Sequence, residues 1–172
     1  LTLDNHLDTK FNDAWRIVNS KTQKNFDAFV SNNNINDKRL YWHGSRNENW
    51  WSIMQSGLIL RPNAVITGKM FGEGIYFAPS AQKSFGYTSY TGAYWVRGNS
   101  NIAFMSLFDV AYGKPYDVHK HGDFYRFDYS KLQQAKAGAN CLHAHAGQML
   151  HNDEVVIYKE NQVTIKYLVE LR

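Results

Sequence analysis

Apolar positions along this chain come in short runs rather than in the long periodic stretches of a helical protein. Ala14–Val18 mixes apolar and basic residues in the manner of a strand. Thr22–Phe29 reads as a short helix, with Thr22 as its expected N-cap and Phe26 and Phe29 on one face. The polar run Ser31–Asn34 ends it. Leu40–Trp42 reads as a strand that releases His43 at its exit, and Gly44 permits the turn that follows. Asn49 is placed to cap a helix carrying Trp50, Ile53 and Met54, which Gly57 stops. Arg61–Lys69, containing Pro62 and Asn63, is expected to be a loop. Gly74–Ala78 forms a third strand, and Ser80 opens a helix through Ser84. Asn101–Tyr112 is apolar for most of its length, the pattern of a central strand. Lys114–Gly147 is polar and irregular apart from the helix-like stretch Lys131–Ala137. Glu154–Tyr158 and Val163–Leu171 are expected to pair as a hairpin around Lys159–Gln162.

Strands outnumber helices in this reading, and the helices between them are short. The pattern predicts an α+β domain with mostly antiparallel sheet, spanning residues 1–172 as one unit. A doubly wound dinucleotide fold is excluded by position: Gly72-Glu73-Gly74 precedes a strand, whereas a phosphate-binding glycine loop follows a strand and opens a helix. A chain of 172 residues is long enough to bury a core, and 44% hydrophobic with 15% aromatic residues argues against disorder. No apolar run is long enough to span a bilayer, and the N-terminus has no secretory pattern. Cys141 is the only cysteine, which excludes an internal disulfide and a multi-cysteine zinc site. An intracellular setting, nuclear or cytoplasmic, with no membrane partner, is the expectation. The net charge of +4 comes from scattered residues, so it reads as a mildly basic solvated surface rather than a nucleic-acid stripe.

Three islands carry the candidate chemistry: His43-Gly44-Ser45, Met70-Phe71-Gly72-Glu73-Gly74-Ile75-Tyr76-Phe77-Ala78 and Asn152-Asp153-Glu154. In that order they resemble the His-Tyr-Glu triad of the poly(ADP-ribose) polymerase family. The similarity extends to Arg39-Leu40-Tyr41-Trp42 before His43, Arg46 after Ser45, Gly57-Leu58, Lys83-Ser84 with Tyr87, and Gln162-Val163 through Leu171. It covers the chain from about Asp13 to the C-terminus. The resemblance implies a diphtheria-toxin-like ADP-ribosyltransferase fold, a mostly antiparallel split sheet with short flanking helices. It implies NAD as co-substrate, cleavage of the nicotinamide–ribose bond, and transfer of ADP-ribose with inversion. The acceptor would be a protein, the enzyme itself, nucleic acid or a growing ADP-ribose chain.

That chemistry needs a carboxylate beside an oxocarbenium-like transition state, an aromatic face for nicotinamide and polar groups for its amide. By resemblance, Glu154 grips the nicotinamide-ribose hydroxyl and polarises the scissile bond, with His43 and Tyr76 completing the catalytic set. His43 would bond the adenosine ribose as donor or acceptor. Gly44 would hold the carboxamide through its backbone, and Ser45 would bond ribose. Tyr76 and Tyr87 would sandwich the nicotinamide, Ser84 would bond the amide, and Lys83 would lie near the reacting centre. Asn49 and Gly74 would line the adenosine side. Taken singly, each aromatic would be read as core and His43 as a satisfied polar group; their combination points to a site.

Departures from the family pattern bear on the acceptor. No arginine directly follows Leu58, Lys69 stands where some members carry an aromatic residue, and His151 and Asn152 replace the residues of well-known polymerases. Polymer formation is the expectation, with single-unit transfer as the alternative. Residues 1–39 are too few for the helical regulatory region of DNA-damage-responsive members, so a chain complete as given would leave its site open to NAD, and nucleic-acid activation would need regions outside it. Two remoter readings are a catalytically silent NAD- or ADP-ribose-binding module and a metal-dependent hydrolase. The first is disfavoured because His43, Tyr76 and Glu154 are all present. The second would use His119, His121, His143, His145 and His151 with Asp153 or Glu154. It lacks a helical histidine pair with an intervening glutamate, and the expectation is a reaction that needs no metal.

Overall fold

The computed structural model describes residues 7–60, 69–120, 122–148 and 150–172. The expected loop at 61–68 and His121 lie outside the described residues. In chain order the elements are β1 (Phe11–Arg16), α1 (Ser20–Asn32), β2 (Lys38–Gly44), α2 (Trp50–Ser56), β3 (Ile75–Phe77) and α3 (Ala81–Phe85). There follow β4 (Ala103–Ala111), β5 (Pro115–Val118), α4 (Tyr129–Ala135), β6 (Cys141–Ala144), β7 (Glu154–Ile157) and β8 (Val163–Leu171). One four-stranded sheet has the order β1-β8-β4-β2, the other β3-β7-β6-β5. All pairings are antiparallel except β5 with β6. The α+β, mostly antiparallel expectation therefore holds, and β4 is a central strand as its apolar pattern implied. Among the described residues no helix is long and apolar enough to cross a membrane.

Several local expectations are corrected. Strands β7 and β8 do not form a hairpin: β7 lies between β3 and β6 in one sheet, β8 between β1 and β4 in the other. Val155–Ile157 of β7 is continuously apolar and β8 alternates apolar residues with Thr164, Lys166 and Glu170, but neither pattern names the strands they pair with. A short 3₁₀ turn at Glu160–Gln162 carries the chain across. Buried Gln162 fixes this crossing by donating to the carbonyls of Ala111 (2.9 Å) and Asn140 (2.7 Å). The stretch 114–147 contains β5 and β6 as well as α4, strands of four residues that a polar surrounding obscured. Helix α1 is capped by Asn19, whose side chain accepts from the Thr22 amide, rather than by Thr22 itself. Gly57 ends α2 with φ 79°, a backbone region that glycine enters without strain.

The main core lies between the sheets. Tyr41, Phe108, Val110 and Ile165 face Ile75, Phe77, Val155 and Ile157, with Trp50 and Ile53 of α2 closing one end. The outer face of the first sheet is covered by α3 through Trp42, Ala81, Phe85 and Met105. On the outer face of the second, Leu132 of α4 packs with Leu142 and Val156. Each such side chain contributes about 1.5–3 kcal/mol on burial, enough to hold both sheets rigid where they meet.

Candidate active site

The sheets touch along β2 and β3. The Trp42 amide donates to the Ala78 carbonyl at 2.9 Å and the Ala78 amide returns the bond to Trp42 at 3.0 Å. The next residue, His43, is thereby directed at β3, and its Nδ1 lies 2.8 Å from the Tyr76 carbonyl oxygen. A carbonyl only accepts, so Nδ1 carries the proton. Burial pushes the His43 pKa down, partly opposed by this hydrogen bond. A neutral ring with the proton on Nδ1 leaves Nε2 as an acceptor.

Gly44 is needed for a reason beyond its turn. A Cβ there would stand 1.8 Å from the Ser84 carbonyl oxygen, so only glycine lets β2 lie against α3. Ser84 itself is buried. Ser45 accepts a 2.9 Å hydrogen bond from Asn49 Nδ2. Asn49 sits at the N-cap position of α2 but makes no capping bond with its side chain, contrary to the capping role expected for it.

Tyr76 and Glu154 share a sheet face. Tyr76 pairs with Val156, and Glu154 lies two residues from Val156 on the same strand. The Tyr76 hydroxyl is fixed at both ends, accepting from the Phe71 amide at 2.9 Å and donating to the Gly72 carbonyl at 2.8 Å. Burial, with a smaller contribution from Glu154, raises its pKa, so the ring is a neutral wall. Tyr87 stacks on Trp95 with ring centroids 6.1 Å apart, and burial with the Glu154 charge raises its pKa to about 12.

Glu154 is 5% exposed. Its carboxylate meets Lys83 Nζ at 2.9 Å, and the same ammonium donates to the Asn152 carbonyl at 3.1 Å. Burial raises the Glu154 pKa; Lys83 opposes the rise through its charge and its hydrogen bond. One buried cation thus holds the carboxylate and the backbone two residues before it.

All ten residues expected at the site, His43, Gly44, Ser45, Asn49, Gly74, Tyr76, Lys83, Ser84, Tyr87 and Glu154, line a single cavity of about 530 Å³. That is within the usual range of small-molecule sites, about 300–1,000 Å³. Arg46, Ser52, Leu60 and Val96 also line it. Arg46 could have been found from its place directly after Ser45. Val96, and Trp95 behind Tyr87, lie in a stretch without periodicity and carried no signal. Of the metal-hydrolase grouping, Glu154 is engaged by Lys83, whereas Asp153, its other expected carboxylate, does meet His143 and His145. His145 also approaches Asp117, a residue that reading did not include.

A family model of the poly(ADP-ribose) polymerase catalytic domain matches residues 2–172. The chain belongs to that family. Among its relatives, a putative poly(ADP-ribose) polymerase-like protein of Invertebrate iridescent virus 6 is 31% identical over 170 residues, covering 96% of this chain and 87% of the viral protein. Poly(ADP-ribose) polymerase 2 of Homo sapiens is 27% identical over 177 residues, 88% of this chain but only 29% of the human protein. Poly(ADP-ribose) polymerase 1 of Oryza sativa is 40% identical over 89 residues, 51% of this chain and 8% of the rice protein. The chain thus spans most of the viral relative and less than a third of the human and rice proteins. Membership in the poly(ADP-ribose) polymerase family agrees with an NAD-using transferase, the class of chemistry to which the cavity's carboxylate and aromatic walls are suited.

Proposed function

We propose that this chain is an NAD-dependent ADP-ribosyltransferase that cleaves the nicotinamide–ribose bond and builds ADP-ribose polymer. The observation that carries the reading is Glu154: a buried carboxylate, held at 2.9 Å by Lys83, on the wall of the cavity that also receives His43 and Tyr76. Nicotinamide lies between Tyr76 and Tyr87, its amide bonded to the Gly44 backbone and the Ser84 hydroxyl. His43 Nε2 accepts from an adenosine-ribose hydroxyl, and Ser45 bonds ribose on the same side. Asn49 and Gly74 border the adenosine.

Bond cleavage sends the electron pair to the departing nicotinamide, and positive charge grows on the ribose ring. Glu154 stabilises that charge electrostatically and holds the nicotinamide-ribose hydroxyl. Lys83 fixes the carboxylate in place. The acceptor attacks from the opposite face with inversion, and as the new glycosidic bond forms its proton passes to the Glu154 carboxylate, which then releases it to water. Protein, the enzyme itself, nucleic acid and the end of an ADP-ribose chain are the acceptor classes. The family's arrangement of two sheets as a split sheet is part of the same reading, supported by the strand orders described above, as is one domain over residues 1–172.

Adenine-labelled NAD incubated with the purified chain and with Glu154→Gln, resolved on a denaturing gel, tests this. A ladder or smear that collapses in the variant is expected. A single discrete band would replace polymer formation by single-unit transfer, the outcome that His151 and Asn152 on the acceptor side would then explain. Intact NAD with no bound label would overturn the transferase reading.

A further inference from the structure

A second cluster stands beside the NAD cavity, on the other side of Asp153. Asp117 comes from β5, His143 from β6, His145 from just beyond β6, and Asp153 directly precedes Glu154. The imidazoles of His143 and His145 are stacked, centroids 4.1 Å apart and planes 11° from parallel. Residues two apart on a strand project to one face, which is what brings them together. His143 Nε2 lies 2.8 Å from Asp153 Oδ2, and His145 Nε2 lies 2.8 Å from Asp117 Oδ1. His145 Nδ1 is 3.8 Å from Asp153 Oδ2. One donor atom each from Asp117, His143 and His145 falls within 4.8 Å of the others.

We propose that Asp117, His143, His145 and Asp153 form a binding site for a divalent late-transition ion, with zinc as its best match, that clamps the segment leading into Glu154. Two imidazole nitrogens and two carboxylate oxygens are the donor types that tetrahedral zinc accepts, and two carboxylates neutralise its charge. Bonds of about 2.1 Å would place tetrahedral donors about 3.4 Å apart. The donors of Asp117, His143 and His145, now within 4.8 Å of one another, must therefore close in. The two stacked rings must also turn until their nitrogens converge, with Asp153 completing the set from beside His143.

The buried histidine is prepared for this role from behind. His143 is 7% exposed, and its Nδ1 lies 2.7 Å from the Tyr112 hydroxyl. That hydroxyl can donate or accept. When Nε2 binds the ion, the ring proton moves to Nδ1 and is donated to the Tyr112 oxygen, the outer-shell bond that orients most metal-ligating histidines. Tyr112 is itself fixed by Arg39, whose guanidinium lies 3.6 Å from its ring centroid. The ion would join β5 and β6 to Asp153, whose Oδ1 already accepts from the Ala146 amide (2.8 Å), beside the Gly147 amide's bond to the Leu150 carbonyl (2.9 Å). Lys83 grips the same segment at the Asn152 carbonyl. The clamp is structural and does not enter bond cleavage, so it stands apart from the transferase reading.

Zinc titrated calorimetrically into chelator-stripped, dialysed protein tests the site, with cobalt absorption reporting its geometry. The expected result is one equivalent bound with a tetrahedral cobalt spectrum and a raised melting temperature. His145→Gln and Asp117→Asn, both at solvent-accessible positions, should lower affinity by at least about 100-fold. Tyr112→Phe, which keeps the ring beneath Arg39, should lower it by about 10–100-fold. His151→Gln, an exposed histidine outside the cluster, should bind as the parent does. Absence of stoichiometric binding, or equal affinity in the His145 and Asp117 variants, overturns the site.

Discussion

At the scale of single residues, the pair Lys83–Glu154 is a buried ion pair on the cavity wall whose contribution to stability can be measured apart from the proposed chemistry. Their side chains are 12% and 7% exposed, so neither charge has much water to fall back on. Removing one partner of such a pair costs about 3–5 kcal/mol, because the other is left buried and uncompensated. Lys83→Met should therefore destabilise by about that amount in urea unfolding, and Lys83→Met with Glu154→Gln should recover most of it. Additive losses would mean that the pair is not coupled. His43 makes a separate prediction about pH. Its pKa is lowered from the ordinary 6.5 by burial, so the unfolded chain takes up a proton before the folded one. The stability it contributes is full above about 6.5 and is lost as pH falls through the lowered value. Imidazole nitrogen NMR should show the neutral ring, proton on Nδ1, persisting below pH 6.5. A ring already charged at that pH would remove the acceptor on which the ribose contact depends.

At the scale of elements, the close approach of β2 and α3 sets the width of the cavity between Gly44 and Ser84, the part proposed to take nicotinamide. Gly44→Ala would push a methyl into the Ser84 carbonyl, and because the obstacle is backbone, a rotamer change cannot relieve it. The expected cost is about 1–3 kcal/mol, with transfer activity lost even where the variant remains folded; wild-type turnover would show that the contact is slack. This element pair also shows what could be read without coordinates. His43, Tyr76 and Glu154 were legible through the order of their three motifs, which resembles the family's triad; their apolar surroundings taken singly would have left each as an ordinary core or strand-end residue. Val96, which lines the cavity, and Trp95, which backs Tyr87, were not legible, since both belong to no periodic element. The placement of β7 and β8 was hidden for a different reason. A strand's apolar pattern tells which of its faces is buried and not which strands flank it, so only three-dimensional partners distinguish a hairpin from a crossing between sheets. Gln162, 1% exposed and bonded to two carbonyls across that crossing, looked like an ordinary turn residue.

For the whole molecule, the position of the cavity matters more than its shape. His43 and Gly44 come from the first sheet, Tyr76 and Glu154 from the second, and the Trp42–Ala78 bridge and the His43 Nδ1–Tyr76 carbonyl bond tie the two sheets together beside the cavity. A ligand held by residues of both sheets must resist any opening that separates them. Ligand at about 100 times its dissociation constant adds about 2.7 kcal/mol to such an opening, which slows exchange through it by about 100-fold. A non-cleavable NAD analogue should therefore slow amide exchange at Trp42 and Ala78 by up to that factor. The Ile17 amide, bonded to the Lys166 carbonyl at the β1 edge, opens by fraying that leaves the cavity intact, so its rate should stay as it was. Uniform slowing of all three amides would mean that they open only when the entire molecule does. Unchanged rates at Trp42 and Ala78 under saturating analogue would mean that the ligand is not held across the two sheets, and the assignment of His43 and Glu154 to one binding event would fall with it.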